Sequence, residues 1–418
     1  MIKESGFGPK LLRQYNELNI LRLIKNEGPL SRADLAKRYK ISKAAVSEIS
    51  AHLIDQGYIT EFGTGNSTSL GGRKPILLKF NPKSGYVIGI EIRRDHAYIA
   101  LSDLNAKIYR KETISFPTGA PLRLVCEQLF NIIDDMQNIP WVRRSRPLGI
   151  GVAIPGLINY TTGAIQESDT LKGWQGFPIK KVFEERYHIE TVIENDVKSI
   201  TLGEFRFGYG KNYSNIIYLW IGDGLSAGII IDGKLYRGIS ASAGEIGYYD
   251  LGYLVRQSDA FKLLYTNQEN FADILSERAL LDGTRRAQNF GLPSIQCNKK
   301  IDIQTILRTA RENHPLSVEL LREYGSLVGI ISIQLINTLN PQLILVGGHQ
   351  LARDELLLQF IKERVKEDIL RTPSQAVKIR SAMFTEEAGI FGAIGLILED
   401  LFFTERLNVE RYQMIFRT

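Results

Sequence analysis

Cysteine is nearly absent: Cys126 and Cys297 are the only two in 418 residues. That excludes a disulfide framework and a cysteine-rich metal site. No apolar run approaches the roughly 18 uninterrupted residues of a membrane span. The opening Met1-Ile2-Lys3-Glu4-Ser5 lacks the apolar core of a secretory signal. A cytoplasmic protein is therefore expected, with no membrane partner. An excess of either charge is also missing beyond residue 80, where 39 Lys/Arg face 39 Asp/Glu. The formal +6 comes entirely from residues 1–80, which hold 13 Lys/Arg against 7 Asp/Glu. A basic module on a neutral body suits a phosphate-binding arm. It also suits a merely solvated basic face.

The first eighty residues read as three helices and a hairpin. Leu18, Ile20, Leu21, Leu23 and Ile24 recur at helical spacing from Gln14 to Lys25, and Gly28-Pro29 stops the run. Ser31 and Asp34 form a near relative of a capping box ahead of a helix over 31–39. Ser42 caps a third helix whose Val46, Ile49 and Leu53 make one inward stripe. Two short helices joined by a tight turn constitute a helix-turn-helix. Off the stripe lie Lys43, Ala44 and Ser47, and the small alanine side chains let the helix approach a major-groove floor. Ile59–Phe62 and Ile76–Phe80 read as strands around a polar loop, with Arg73 and Lys74 beside the Gly71-Gly72 tip. That is a wing, and it points to double-stranded DNA contacted through Ser42, Lys43, Ala44, Ser47, Arg73 and Lys74. A winged helix that serves protein–protein contact has the same outline.

From residue 81 the pattern changes to α/β. Strands are expected at Tyr86–Ile92, His96–Asp103, Lys107–Ile114 and Leu148–Ala153, with an amphipathic helix over Leu122–Gln137. A second set follows: strands at Asn215–Ile221, Ala227–Ile231, Lys234–Tyr236 and Leu343–Val346, with long helices over 316–338 and 350–368. The repetition suggests a duplicated fold of two lobes with a ligand cleft. Two domains are expected, 1–80 and 81–418.

Several motifs share one register: Ile154-Pro155-Gly156, Glu194-Asn195-Asp196, Gly203-Glu204, Ala243-Gly244-Glu245-Ile246-Gly247, Asn340-Pro341, Val346-Gly347-Gly348 and Phe391-Gly392-Ala393. In order and spacing the chain resembles the ROK (repressor, open reading frame, kinase) family along essentially its whole length. The resemblance implies a winged helix-turn-helix followed by a two-lobed sugar kinase/actin-like ATPase body. It implies sugar contacts by Asn195 and Asp196, the Asp being the base in the family's kinases. Chemically, an amide offers donor and acceptor together, and a carboxylate accepts from vicinal hydroxyls. The same pair also suits the start of the helix from Val197 to Glu204. Glu245 aligns with another sugar-binding carboxylate, Gly156 lies in the first motif, and Thr170 sits near one further family contact.

The chain departs from the family at two places. Tyr248 replaces a histidine that touches sugar and zinc, and Tyr249 to Leu264 contains no Cys or His, so no tetrahedral zinc set can be assembled there. Tyr248 can still offer a hydroxyl and a ring face to sugar, or simply pack. The phosphate loop of the family's kinases is replaced by Glu91-Ile92-Arg93-Arg94-Asp95, without Gly or Thr. Gly222-Asp223-Gly224 places a carboxylate where a second phosphate loop would run. Only Gly347-Gly348 survives, near an adenosine-contacting position. The expectation is a sugar-controlled repressor without kinase activity, catalytic residues or cofactor. It would form a homodimer or homotetramer on operator DNA and take a small sugar as effector. The alternatives are a sugar kinase carrying a regulatory DNA-binding domain, and a body that docks another protein.

Overall fold

A computed structural model describes residues 9–65, 74–159, 162–249, 263–264, 274–287, 293–295, 301–369, 376–385 and 387–403. The chain divides into two compact units. Unit 1 comprises Met1–Val152, Phe177–Ile193 and Ala393–Thr418; unit 2 comprises Ala153–Gly176 and Glu194–Gly392.

Unit 1 opens with α1 (Pro9–Glu27), β1 (Leu30–Ser31), α2 (Arg32–Tyr39), α3 (Lys43–Asp55), β2 (Ile59–Thr64) and β3 (Ile76–Phe80). The Ser31 hydroxyl accepts from the Asp34 N–H at 3.1 Å, and the Asp34 carboxylate accepts from the Ser31 N–H at 3.1 Å. That completes the capping box, and Lys40 in the left-handed region ends α2. The expected stripe of Val46, Ile49 and Leu53 is buried, as are Leu21, Ile24, Leu35 and Leu78. Within these first eighty residues, one element escaped the sequence reading. β1 is only two residues long, yet it pairs antiparallel with β3 (Leu30↔Leu78) and makes the sheet β1-β3-β2. Two residues are too few to show a period.

Unit 1 also holds most of a five-stranded sheet. Its strands are β4 (Gly85–Ile92), β5 (His96–Asp103), β6 (Ile108–Ser115), β7 (Arg146–Ile154) and β10 (Thr191–Asn195), in the order β10-β7-β4-β5-β6. α4 (Leu122–Met136) packs on β5 and β6, and α5 (Ile179–Tyr187) precedes β10.

Unit 2 carries the hairpin β8 (Leu157–Asn159) and β9 (Ala164–Glu167), then α6 (Asp196–Arg206). Its sheet contains β11 (Ile216–Ile221), β12 (Leu225–Ile231), β13 (Lys234–Leu235), β14 (Leu343–Gly348) and β15 (Lys378–Ser381), in the order β13-β12-β11-β14-β15. Counted along the chain, both sheets read third, second, first, fourth, fifth. The expected duplication is thus a shared strand order.

α7 (Glu277–Arg286), α8 (Ile303–Arg311), α9 (Pro315–Leu339) and α10 (Glu355–Asp368) complete unit 2 with the first turns of α11 (Ala388–Leu398). The stripes of α9 and α10 face its core: Leu320, Tyr324, Leu327 and Ile331 are buried with Leu357 and Ile361. Gly325 and Gly329 let α10 approach, because a Cβ at either would lie 2.7 Å from the Phe360 or Arg364 Cβ. The helix expected over 350–368 is not continuous. Gln350–Arg353 forms a 3-10 turn, and the buried Asp354 carboxylate then caps α10 on the Leu356 and Leu357 N–H groups. An Asp with no interior hydrogen-bond partner costs free energy, so the chain breaks to use it.

α6 and α11 meet backbone to backbone. A Cβ on Gly392 would stand 2.2 Å from the Ser199 carbonyl oxygen, and one on Gly203 would stand 2.8 Å from the Gly392 nitrogen. Gly392→Ala should therefore lower stability by about 1–3 kcal/mol through overpacking. Gly119→Ala, where φ is 82° and the space is open, should cost only about 1 kcal/mol of backbone strain. Urea unfolding of the two variants checks the order; equal losses would refute the close crossing.

Candidate functional site

The chain leaves β10 at Asn195 and enters α6 at once, so one residue both ends a strand and caps a helix. The Asn195 Oδ1 accepts from the Lys198 N–H at 3.0 Å, and its Nδ2 donates to the Gly156 carbonyl at 3.1 Å and to Asp196 Oδ1 at 3.0 Å. Asp196 Oδ1 also accepts from the Val197 N–H at 2.9 Å. Both readings of this pair hold locally: the amide is a helix cap, and the cap fixes the neighbouring carboxylate. Gly156 has φ 121°, and a Cβ there would stand 2.3 Å from the Glu167 carbonyl oxygen. Only glycine brings its own carbonyl to Asn195 in that setting.

Two residues that the sequence reading gave no role bear on the cluster, Lys198 within it and Glu194 beside it. Lys198 is buried on α6, with Nζ 3.8 Å from Glu245 Oε1. Glu194 is buried too; its Oε2 accepts from Arg237 Nε at 2.8 Å and its Oε1 from the Asn195 N–H at 2.8 Å. A lysine three residues after the cap, on a helix buried nearly all round, was the available signal. Burial pushes the Glu245 carboxyl above its ordinary range; the Asp196 charge adds to this, while the Lys198 ammonium opposes it. Asn195, Asp196, Lys198, Glu245 and Gly156 therefore form one polar cluster of two carboxylates, an amide and an ammonium. It presents acceptors for hydroxyl donors around a cation that balances half the negative charge.

The other two expected contacts lie at different levels of exposure. Tyr248 ends the 3-10 turn that Glu245 begins and is 67% exposed. Thr170 is half-buried, and among the described residues it has no hydrogen bond to Asn195, Asp196 or Glu245. Residues 250–262, within the stretch that lacks Cys and His, lie outside the described residues. With Tyr248 in place of the histidine, the donor set does not suit zinc.

In unit 1 the β4–β5 turn is filled by its own side chains. Arg93 Nε donates to the buried Glu91 at 2.8 Å, and its guanidinium stands 5.1 Å from the Tyr98 ring centroid. In unit 2 the Gly222–Gly224 turn closes with a 3.0 Å bond from the Gly222 N–H to the Gly224 carbonyl. A Cβ at Gly222 would lie 2.9 Å from Trp220 Nε1 and 3.2 Å from the His349 ring. Gly347 and Gly348 are needed by the sheet itself, since a Cβ would lie 2.1 Å from the Tyr218 hydroxyl or 1.9 Å from the Ile221 carbonyl.

In unit 1, Ser42, Lys43, Ala44 and Ser47 are all exposed at the start of α3. The Ser42 hydroxyl accepts from the Ala45 N–H at 3.1 Å, leaving its proton to donate outward. Among the described residues Lys43 has no ion-pair partner. Glu48, an acidic residue on the exposed side of α3, is paired with Arg13 at 2.9 Å, which reduces its repulsion of a phosphate. Lys74 is exposed at the foot of the wing, and Arg73 lies outside the described residues. Among the described residues no helix is long and apolar enough to cross a membrane.

The ROK family model matches residues 87–400, and the MarR family model matches residues 14–61. The xylose repressor of Caldicellulosiruptor bescii is 30% identical over 397 residues, covering 94% of this chain and 97% of that protein. The DNA-binding transcriptional dual regulator NagC of Escherichia coli is 28% identical, covering 86% and 87%. The crystal structure of a ROK family transcriptional regulator, a homolog of the E. coli MLC protein, superposes with a TM-score of 0.81. It shares 23% identity over 97% of this chain and all of that one.

Acceptor strength at Glu245 depends on its charge, and its carboxyl is raised, so it protonates at a higher pH than an ordinary glutamate. Monosaccharide affinity should fall on acidification through a midpoint above the usual carboxylate range, and Glu245→Gln should flatten that profile. Calorimetric titration across pH checks this; an unchanged profile in the variant would remove Glu245 from the site.

Proposed function

The chain belongs to the ROK family, and from that premise we propose that it is a sugar-responsive transcriptional repressor. The capped, exposed start of α3 reads operator DNA, and the Asn195/Asp196/Glu245 cluster senses a monosaccharide without phosphorylating it. The observation that carries the second half is the Arg93–Glu91 pair. A guanidinium and its carboxylate occupy a turn where a kinase needs free backbone N–H groups to cradle phosphate. The sugar cluster, by contrast, keeps its acceptors.

The first half rests on localised charge. The winged head carries the positive surplus of the whole chain, and Lys43, without an ion-pair partner among the described residues, stands at the end of α3 that enters a major groove in this motif. A homodimer or homotetramer would present two such helices to two half-sites in the cytoplasm. Sugar releases the operator by binding more tightly to the conformer that DNA does not select, a difference of several kcal/mol for a full switch. Gly156, Thr170 and Tyr248 are the further sugar contacts on this reading. Xylose is the first effector to test, since it names the 30%-identical relative, with N-acetylglucosamine second.

A sugar kinase with a DNA-binding regulator is the competing reading. Thermal melting with monosaccharides, with and without ATP, separates the two: a sugar shift that ATP leaves unaltered supports the repressor, and sugar-dependent ATP turnover refutes it. Asp196→Ala should abolish sugar-induced release while operator affinity without sugar stays unchanged. Lys43→Ala should weaken operator binding and reduce the slope of log affinity against log salt by about one. Electrophoretic mobility shifts over a salt series check both, and full induction of the Asp196 variant would eliminate the pocket.

A further inference from the structure

Unit 1 contains a cavity of about 560 Å³ that lies outside both sites above. Its walls come from the end of α3 (Gln56, Gly57), the turn leading into the body (Asn81, Lys83, Ser84) and the segment before and at the start of β7 (Trp141, Arg144, Arg146). Three of its ten lining residues are cationic and none is acidic. Concave walls of one sign concentrate potential. The cations differ in how they are held. Arg146 Nη2 donates to Gln56 Oε1 at 2.6 Å and stacks near the Tyr58 ring, and the Lys83 ammonium lies 4.8 Å from the Tyr109 ring centroid and 5.4 Å from that of Trp141. Arg144 is exposed and, among the described residues, has no ion-pair partner. Hydroxyl and amide groups of Ser84, Ser145, Asn81 and Gln56 line the remainder.

We propose that this cavity is a binding site for a small organic phosphate monoester. The phosphate sits on Arg144 with Lys83 and Arg146 beside it, and the organic portion lies against Trp141. A dianion matches the three cations, and a guanidinium fork suits phosphate oxygens. Operator DNA offers the same chemistry but from the wrong end: α3 has 13 residues, so Gln56 lies about 20 Å along the axis from Lys43. A ligand here competes for Arg146 and loosens its bond to Gln56, one of the ties between the end of α3 and the body. That consequence, a change in operator affinity, rests on the repressor reading; the binding itself does not.

The test uses the full chain titrated calorimetrically with inorganic phosphate, with a panel of sugar, glycerol and nucleoside monophosphates, and with their neutral parents. At least one monoester should bind about tenfold more tightly than its parent and alter operator affinity severalfold. Arg144→Ala and Arg144→Gln should both lose that binding, Trp141→Leu should weaken the monoester more than inorganic phosphate, and Asp196→Ala should leave it unaltered. No binding by any panel member, or equal binding by the Arg144 variants, overturns the site. So does a reduced operator salt slope in Arg144→Ala without ligand binding, which would make Arg144 a DNA contact. A protein that fails to bind operator under any condition would instead sink the repressor reading and leave the cavity's chemistry to be judged by calorimetry alone.

Discussion

A lysine ammonium buried in a helix has to meet a carboxylate, because a charge taken from water without a partner costs several kcal/mol. Lys198 sets that requirement at the centre of unit 2, and Glu245 meets it from a turn 47 positions away in the sequence. The pairing holds the Ala243–Gly247 turn against α6. Gly244, with φ 94° and room for no Cβ against the Ala227 carbonyl, lets the turn reach β12. Asn195 fixes the other side by capping α6 and holding Gly156. Asp196 is then left between two immobilised partners, with its Oδ1 engaged by the backbone. On the proposed function, a sugar entering such a site would find its acceptors already oriented, so less of its binding energy would go into ordering side chains.

The buried Glu204 does a comparable task at the other end of α6. Its oxygens accept from the Phe384 N–H at 2.6 Å and the Tyr209 N–H at 3.4 Å, and burial keeps its carboxyl above the ordinary range. That anchors the segment leading to α11. α11 then crosses α6 at Gly392, and the following turn (Glu399–Phe403) carries Leu401 and Phe402. The Leu401 carbonyl accepts from Arg22 Nε at 2.9 Å, and the Lys25 ammonium stands 4.9 Å from the Phe402 ring centroid. Both cations belong to α1 of the winged head. α11 therefore begins against α6 and leads into a turn that contacts α1.

Much of this was legible in the sequence because period and punctuation are local. His96–Asp103 came out to the residue, since its apolar run is bounded by turn residues on both sides. The capping box of Ser31 was visible for the same reason, as were the exposed Lys43, Ala44 and Ser47, because a three-residue stripe fixes which face is left over. The motif spacing singled out Asn195, Asp196 and Glu245, and the structure brings them into one polar cluster. Lys198, Arg237 and Arg146 were not found, because their meaning lies in partners 43 to 90 residues distant. A charged residue in a buried helix can be read as an anomaly, but the sequence does not say which carboxylate answers it. The break at Asp354 was missed for a related reason: apolar periodicity continues across it, and only the carboxylate's burial shows where the helix restarts.

The Arg93–Glu91 pair closes the β4–β5 hairpin on itself. In a kinase loop, glycines leave backbone N–H groups open to phosphate and cost conformational entropy. Here the β4–β5 turn is a plain hairpin closed by the Arg93 N–H to the His96 carbonyl at 2.8 Å, and its strands pair in full register from Tyr86↔Asp103 to Ile92↔Ala97. Glu91 is buried, and the cation that balances it comes from two residues along its own hairpin. A site without nucleotide must still neutralise a buried carboxylate, and an internal arginine does so at all times. Such an internal pair stabilises one resting arrangement of the hairpin.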